Sequence, residues 1–466
     1  MNLPVDFINS LNNLPYDHVK RLIDSFDDEV PVSIHINPDK ISRNTLRFSS
    51  DVERVAWCEN GYYLPSRPSF TFDPMFHSGM YYVQEASSMF VEHIVRQLIK
   101  EPATCLDMCA APGGKSVGIL SALPKGSVLV SNEIIRTRAN ILGETISKFG
   151  CSSVIVTNNA PSDYSGLSSA FDLILVDAPC SGEGMFRKDE VAIKEWSLEA
   201  VDRCAKRQRE ILADAWKALK PGGILIYSTC TFNVKENEDN IRWLAGEKSL
   251  EYLDIYYDNG WGISPSLYDD VKAYRFFPNS TKGEGLFVSV VRKLDEDGTA
   301  YNIYNDKKKN KAMGLLKNGG RFGKYLLNSE EFYFIQKKNK IIAIPNQLLH
   351  LYMCMDDSFS VIHSGINIGE IKGGNFIPSQ ELAISQELDL GSFDSRELSF
   401  VEALAYLRGE SISIEGADKG YVIVKYMNEP IGFVKNLGSR ANNLYPKEWR
   451  IRSTYLPEGV ESIFSN

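Results

Sequence analysis

From about residue 104 to 228 the chain alternates short apolar runs with longer helical segments, and few folds accommodate that pattern. The strand-like runs cover 104–107, 128–132, 154–157, 171–177 and 224–228; helical periodicity follows Lys115 and fills 137–149 and 199–219. Such alternation predicts an α/β fold, a mostly parallel sheet with helices on both faces. The Gly222-Gly223 pair after Lys220-Pro221 predicts a helix stop before the last of these strands. A helix over 234–244 and strands over 274–277 and 286–292 would close the sheet with an antiparallel edge. At 466 residues, 43% hydrophobic and 24% charged, the chain has room for about three globular domains.

The flanks read differently. Residues 1–75 hold a helical stretch over 5–26 and an alternating run at Val32-Ser33-Ile34-His35-Ile36-Asn37, a small α+β module. The core then occupies 76–293. Residues 294–312, with Asp295-Glu296-Asp297-Gly298 and the cluster Lys307, Lys308, Lys309 and Lys311, read as a linker. Beyond it, short strand-like segments such as Lys340-Ile341-Ile342-Ala343-Ile344-Pro345 and Gly420-Tyr421-Val422-Ile423-Val424-Lys425 suggest two small modules, 313–375 and 376–466. No run approaches the roughly 18 apolar residues of a membrane span, and the start lacks the basic flank and apolar stretch of a signal peptide, so a cytoplasmic protein without a membrane partner is expected.

Between the first core strand and its helix lies Asp107-Met108-Cys109-Ala110-Ala111-Pro112-Gly113-Gly114-Lys115-Ser116. A phosphate-binding Walker loop needs glycine where Cys109 stands, which argues against a nucleotide triphosphatase. What remains is a tight loop of small residues opening onto a helix N-terminus, a place that welcomes a carboxylate such as that of a methionine moiety. Glu133 follows the next strand, about twenty residues after the glycines, where an acidic side chain can take both hydroxyls of a ribose.

Two further motifs end strand-like runs: Asp177-Ala178-Pro179-Cys180 and Tyr227-Ser228-Thr229-Cys230-Thr231. Cytosine C5 attacks an electrophilic methyl group only after a nucleophile has added across C5–C6; a thiolate does this, and a second cysteine beside it suggests a two-thiol version. The 8 cysteines read as reduced thiols, and the spacing of Cys105 and Cys109 without a second Cys or His pair does not predict zinc, so no metal is expected. The net charge of −9 argues mildly against nucleic acid, but charge is unevenly spread. Lys419, Lys425, Lys435, Arg440, Lys447, Arg450 and Arg452 face only Glu429 and Glu448, and Arg203, Lys206, Arg207 and Arg209 share one helix-like segment.

Together Gln84-Glu85-Ala86-Ser87-Ser88, the 109–115 loop, Asp177 to Gly184 and Tyr227 to Thr231 resemble the RNA (cytosine-5) methyltransferases of the Nop/Sun superfamily. Gly184-Met185-Phe186-Arg187-Lys188-Asp189, with the tail Pro430-Ile431-Gly432-Phe433 and Asn443-Leu444-Tyr445-Pro446, is similar to the branch acting on bacterial 16S ribosomal RNA. The resemblance is specific over about 80–292 and weak over 313–375. It implies a Rossmann-like class I methyltransferase core, S-adenosyl-L-methionine as methyl donor, 16S rRNA as substrate in a 30S subunit or assembly intermediate, an N-terminal RNA-binding module and a PUA-like RNA-binding module at the C-terminus. By the same resemblance Cys230 is the nucleophile toward C6, and Cys180 assists loss of the C5 proton and release of Cys230. Asp177, at a strand end, contacts cytosine N3 as a general acid if its pKa is raised. Cys109, Ala110, Ala111, Pro112, Gly113, Gly114, Lys115, Glu133 and Asp177 are expected to hold the cofactor. Ala160 stands where the family often has Asp, so its backbone is the expected contact, with Asn158 or Asn159 as alternative acceptors. His35 and Asn279 replace Arg and His of relatives, with RNA contacts as the expected consequence. Phe186 reads either as a wall for the extruded cytosine or as a core residue. Rival readings are a tRNA cytosine-5 methyltransferase and a non-catalytic ribosome assembly factor.

Overall fold

The computed structural model describes residues 1, 3–42, 46–295, 314–414, 416, 418–453, 455 and 459–465; the lysine cluster at 307–311 and most of the expected linker lie outside them. The core strands β1 (Thr104–Asp107), β2 (Val128–Asn132), β3 (Val154–Thr157) and β4 (Phe171–Asp177) run parallel. They are continued by β5 (Leu219–Thr229), β6 (Tyr274–Phe276) and β7 (Leu286–Lys293). The strand order is 6-7-5-4-1-2-3, with β7 antiparallel to β5 and β6 antiparallel to β7. Most of these side chains are buried on both faces, which is why they read as unbroken apolar runs. The principal helices are α1 (Phe90–Leu98), α2 (Gly114–Ala122), α3 (Arg136–Phe149) and α4 (Leu198–Ala218).

Three local expectations differ. Helix α4 stops at Ala218 rather than at the glycines; the backbone is already extended at Leu219, and Gly222, at φ +74°, lies in a bulge between Leu219 and Ile224. The helix foreseen over 5–26 is interrupted between Ser10 and Tyr16, by a 3-10 turn at Leu11–Asn13 and then Pro15, leaving Val5–Ser10 and Tyr16–Ser25. The helix foreseen from 234 begins at Glu238, after a turn.

A further strand, β8 (Val361–Ser364), lies in sequence among the strands of the five-stranded sheet of the 315–378 region but joins the core sheet, antiparallel to β3. The N-terminal sheet runs Glu53–Arg54, Gly61–Leu64, Val32–Ile36, Tyr81–Val83. It shares an apolar cluster with the C-terminal sheet: Ile34, Ile36 and Met75 pack among Leu404, Leu407, Val424 and Val434. Arg47–Phe48 also pairs with Phe464–Ser465. Lys40 is buried where these bodies meet, donating to the carbonyls of Ser78, Lys148 (3.2 Å) and Ile384 (2.8 Å).

Candidate active site at the strand ends

After β1 the chain builds the sheet to one side, through β2 and β3; after β4 it builds to the other, through β5. A crevice opens at the carboxyl ends of strands that part in this way. Asp107 and Asp177 end β1 and β4. The 109–115 loop is tied down from below: Ala110 N–H donates to Asn132 O (2.7 Å), Arg138 Nη2 to Ala111 O (2.7 Å) and Thr145 Oγ1 to Pro112 O (2.8 Å). Gly113 sits at φ +118°, and a Cβ there would meet Thr145 Cγ2 at 2.8 Å, so only glycine suits the position. Beneath the loop Asp107 is fully buried; Ser116 Oγ donates to Oδ2 (2.7 Å), and burial pushes its pKa up to about 7. Cys109 also points into this interior, and burial raises its thiol.

Glu133 follows β2 nearly buried, its Oε1 accepting from Ile135 N–H (2.8 Å) and its Oε2 3.3 Å from Arg138 Nη1. The N–H of Ala160 donates to Asp163 Oδ2 (3.1 Å), a residue the sequence reading passed over. Asn159 Nδ2 donates to the same oxygen (2.9 Å), and Asn158 Nδ2 to the carbonyl of Glu133 (2.8 Å). Next to these residues a cleft of about 680 Å³ is lined by Ile134, Pro161, Pro179, Arg203, Lys206 and Arg207. The three cations are exposed, whereas Arg209 of the same helix is bound to Asn240 (2.8 Å).

Asp177 and Ser228 are register partners on the parallel strands β4 and β5, so the segments beyond them leave side by side. This brings Cys180 and Cys230 together across fifty residues of chain, with their sulfurs 3.1 Å apart and no disulfide. The hydrogen bond to Cys230, reinforced by burial, holds Cys180 well above the usual thiol range. Asp177 accepts from Lys115 Nζ (2.8 Å) and Ser228 Oγ (2.7 Å). Burial works against the charge of Lys115, but the Asp177 carboxylate more than offsets it and keeps the ammonium above its ordinary range. The lysine of the 109–115 loop and both cysteine loops therefore converge on one carboxylate.

Sequence reasoning missed the polar clamp under the thiols. Glu183 accepts from Trp196 Nε1 (3.1 Å), Phe232 N–H (2.6 Å) and Asn233 N–H (3.0 Å). Glu236 accepts from Ser181 N–H (3.0 Å), Gln208 Nε2 (2.7 Å) and Asn233 Nδ2 (2.8 Å). The available signal was Asn233-x-x-Glu236, the reciprocal pattern of a capping box; Asn233 Oδ1 does accept from Glu236 N–H (2.9 Å). Phe186 is the core residue of the two readings, 1% exposed against Phe7 and Phe26. His35 is buried too, its Nε2 2.6 Å from Glu92, so it offers no surface to RNA. With Cys58 these two form a cluster of metal-ligand type, but Asn60 (2.9 Å) and Arg96 (2.7 Å) also bind Glu92, and a cation is already supplied. Asn279 leaves its Oδ1 buried without a partner among the described residues.

A sheet in the order 6-7-5-4-1-2-3, with a glycine loop after its first strand, defines a Rossmann-like methyltransferase. Family models agree along the chain: the N-terminal domain of 16S rRNA methyltransferase RsmF over residues 3–86, 16S rRNA methyltransferase RsmB/F over 97–292, and the methyltransferase RsmF PUA domain over 395–451. The chain is 31% identical to the ribosomal RNA small subunit methyltransferase F of Salmonella paratyphi A (strain ATCC 9150 / SARB42) over 450 residues, 89% of each chain. The Salmonella agona (strain SL483) relative has the same identity and coverage. The chain belongs to the RsmF family of 16S rRNA methyltransferases. Among solved structures it is similar to a methyltransferase homolog protein from Pyrococcus horikoshii (TM-score 0.52, 25% identity, 63% of this chain and 100% of that one). The NSun6 structure from Pyrococcus horikoshii with SFG shares the fold (TM-score 0.53, 19% identity, 63% and 98%).

Proposed function

We propose that this protein transfers a methyl group from S-adenosyl-L-methionine to C5 of a cytosine in 16S rRNA, through a covalent bond between Cys230 and C6. The observation that carries the reading is the pair of sulfurs 3.1 Å apart beside the glycine loop. The residues suit the cofactor: the turn at Gly113 leads the chain from β1 into the N-terminus of α2, and Glu133 offers a carboxylate at the end of β2. Residues 109–115, Glu133, Asp177 and the Ala160 backbone would hold it. When bound, S-adenosylmethionine supplies an electrophilic methyl group on a sulfonium.

The remaining chemistry belongs to the side chains. Free thiols are only a few per cent ionised at neutral pH; the thiolate of Cys230 attacks C6 with Cys180 hydrogen-bonded beside it. Asp177 contacts N3, and the Lys115 ammonium on its other oxygen holds a proton beside the ring as attack makes N3 more basic. After methyl transfer Cys180, its own proton lost to water, takes the C5 proton, the C5–C6 double bond re-forms, and Cys230 departs as a thiolate. Arg203, Lys206 and Arg207 on the rim of the cleft suit RNA phosphates. Residues 1–75 and 376–466 act as RNA-binding modules flanking the core at 76–293, with 313–375 between; the working partner is the 30S subunit or a precursor in the cytoplasm. Bisulfite mapping of rRNA from cells with and without the gene tests this: one or more 16S cytosines should lose their C5 methyl group. Unchanged 16S rRNA with a loss confined to tRNA would contradict the substrate assignment.

A further inference from the structure

Glu236 stands outside both cysteine motifs, yet its carboxylate reaches both loops and helix α4. It receives the N–H of Ser181, next to Cys180, at 3.0 Å. It also receives Nδ2 of Asn233 (2.8 Å), a group that lies 2.9 Å from Thr231 Oγ1, next to Cys230. From α4 it receives Gln208 Nε2 (2.7 Å), which also donates to the carbonyl of Pro179 (2.9 Å). The two loops are otherwise joined by Ser181 Oγ to Thr231 Oγ1 (3.0 Å), Gly184 N–H to Cys230 O (2.8 Å), and the Glu183 contacts with Phe232 and Asn233.

We propose that Glu236 is a positioning residue for the thiol pair, its carboxylate holding the loop that carries Cys180 against the loop that carries Cys230. This rests on the two-thiol reading given above. A carboxylate is required because three N–H donors converge on it, and an amide in its place turns one acceptor into a donor facing donors. Protonation has a similar effect, since the added O–H is a donor placed among the donors from Ser181, Gln208 and Asn233. Burial, then the neighbouring Glu183 charge, raises Glu236 to about 6, so the clamp loosens as pH falls through that value. The other titratable groups facing it are Cys180, Cys204 on α4 and Tyr227 on β5, while Lys235 beside it in the chain is paired to Asp202.

The test uses the full-length protein and its Glu236→Gln variant. Glutathione disulfide oxidises the two thiols to a Cys180–Cys230 disulfide with release of two glutathione thiols, and mass spectrometry of digests reads the rate. Glu236→Gln should form that disulfide at least tenfold more slowly and lower kcat at least tenfold, while KM for RNA and the affinity for S-adenosylmethionine stay within about twofold. In the unaltered enzyme kcat should fall about tenfold per pH unit below pH 6. Wild-type disulfide rate and kcat in the variant overturn the proposal, as does a kcat in the unaltered enzyme that is flat from pH 7 to 5. An unaltered enzyme that methylates no cytosine defeats the two-thiol reading instead, and the disulfide rates still decide the clamp.

Discussion

Asp107 is a carboxylic acid with one oxygen bound to Ser116, in a place water does not reach. Its pKa is raised by burial from 3.8 to about 7. The folded state therefore holds this proton where the unfolded chain releases it, and the stability gained is complete below pH 3.8 and lost as pH rises through 7. Asp107→Asn keeps an acceptor for Ser116 and removes the charge; at pH 8 it should be more stable than the parent by about 3–4 kcal/mol, with the advantage gone near pH 4. Urea melts at the two pH values, without cofactor, check this, and a pH-independent difference contradicts it. Glu133 works in the other direction. Its removal takes an acceptor from a nearly buried site, and Glu133→Ala should weaken S-adenosylmethionine binding by about 1–3 kcal/mol; calorimetry with unchanged affinity would mean that the ribose is held elsewhere.

At the scale of elements, Glu92 of α1 fastens the N-terminal sheet to the core. Burial alone would raise its pKa, but hydrogen bonds from His35, Arg96 and Cys58 outweigh that and bring it to about 2. A lowered carboxylate stabilises the fold above pH 4.5 and loses that contribution as pH falls through 2. Glu92→Gln leaves Arg96 and His35 facing an amide and should cost about 3–5 kcal/mol at neutral pH, measured by chemical denaturation; a change under about 1 kcal/mol would mean the cluster is worth no more than a surface pair. How legible such elements are depends on whether their cause is local. Strands β1 to β4 are readable to the residue because burial on both faces leaves an unbroken apolar run ending at a charged or polar residue, such as Asp107 or Asp177. The thiol motifs and the loop are readable for the same reason, each being contiguous in sequence. The Glu92 cluster and the Glu236 clamp join residues from separate segments, and β8 meets β3 only through tertiary pairing about two hundred residues apart, so no local pattern announces them. Pro15 is the opposite case, a local helix breaker masked by the apolar periodicity around it.

The whole molecule is less modular than its succession of domains suggests. Deleting residues 376–466 would strip Leu404, Leu407, Val424 and Val434 from the cluster that covers Ile34 and Ile36, and would leave Lys40 without the Ile384 carbonyl. RNA binding by the C-terminal module is better tested by charge. Lys419, Arg440 and Lys447 are exposed, and replacing all three by Gln should lower rRNA affinity. It should also flatten the dependence of log K on log salt by roughly 0.7 for each phosphate no longer neutralised, with S-adenosylmethionine affinity unchanged; an equal slope and equal affinity would remove this surface from the RNA interface. The central claim is the order in which the two thiols act, and denaturing gel electrophoresis of each cysteine variant with labelled 16S rRNA and S-adenosylmethionine reads it directly. Cys180→Ala should accumulate protein covalently joined to methylated RNA, because attack and methyl transfer proceed but elimination stalls, whereas Cys230→Ala should give neither adduct nor methylation. A persistent adduct from Cys230→Ala and none from Cys180→Ala would reverse the assignment.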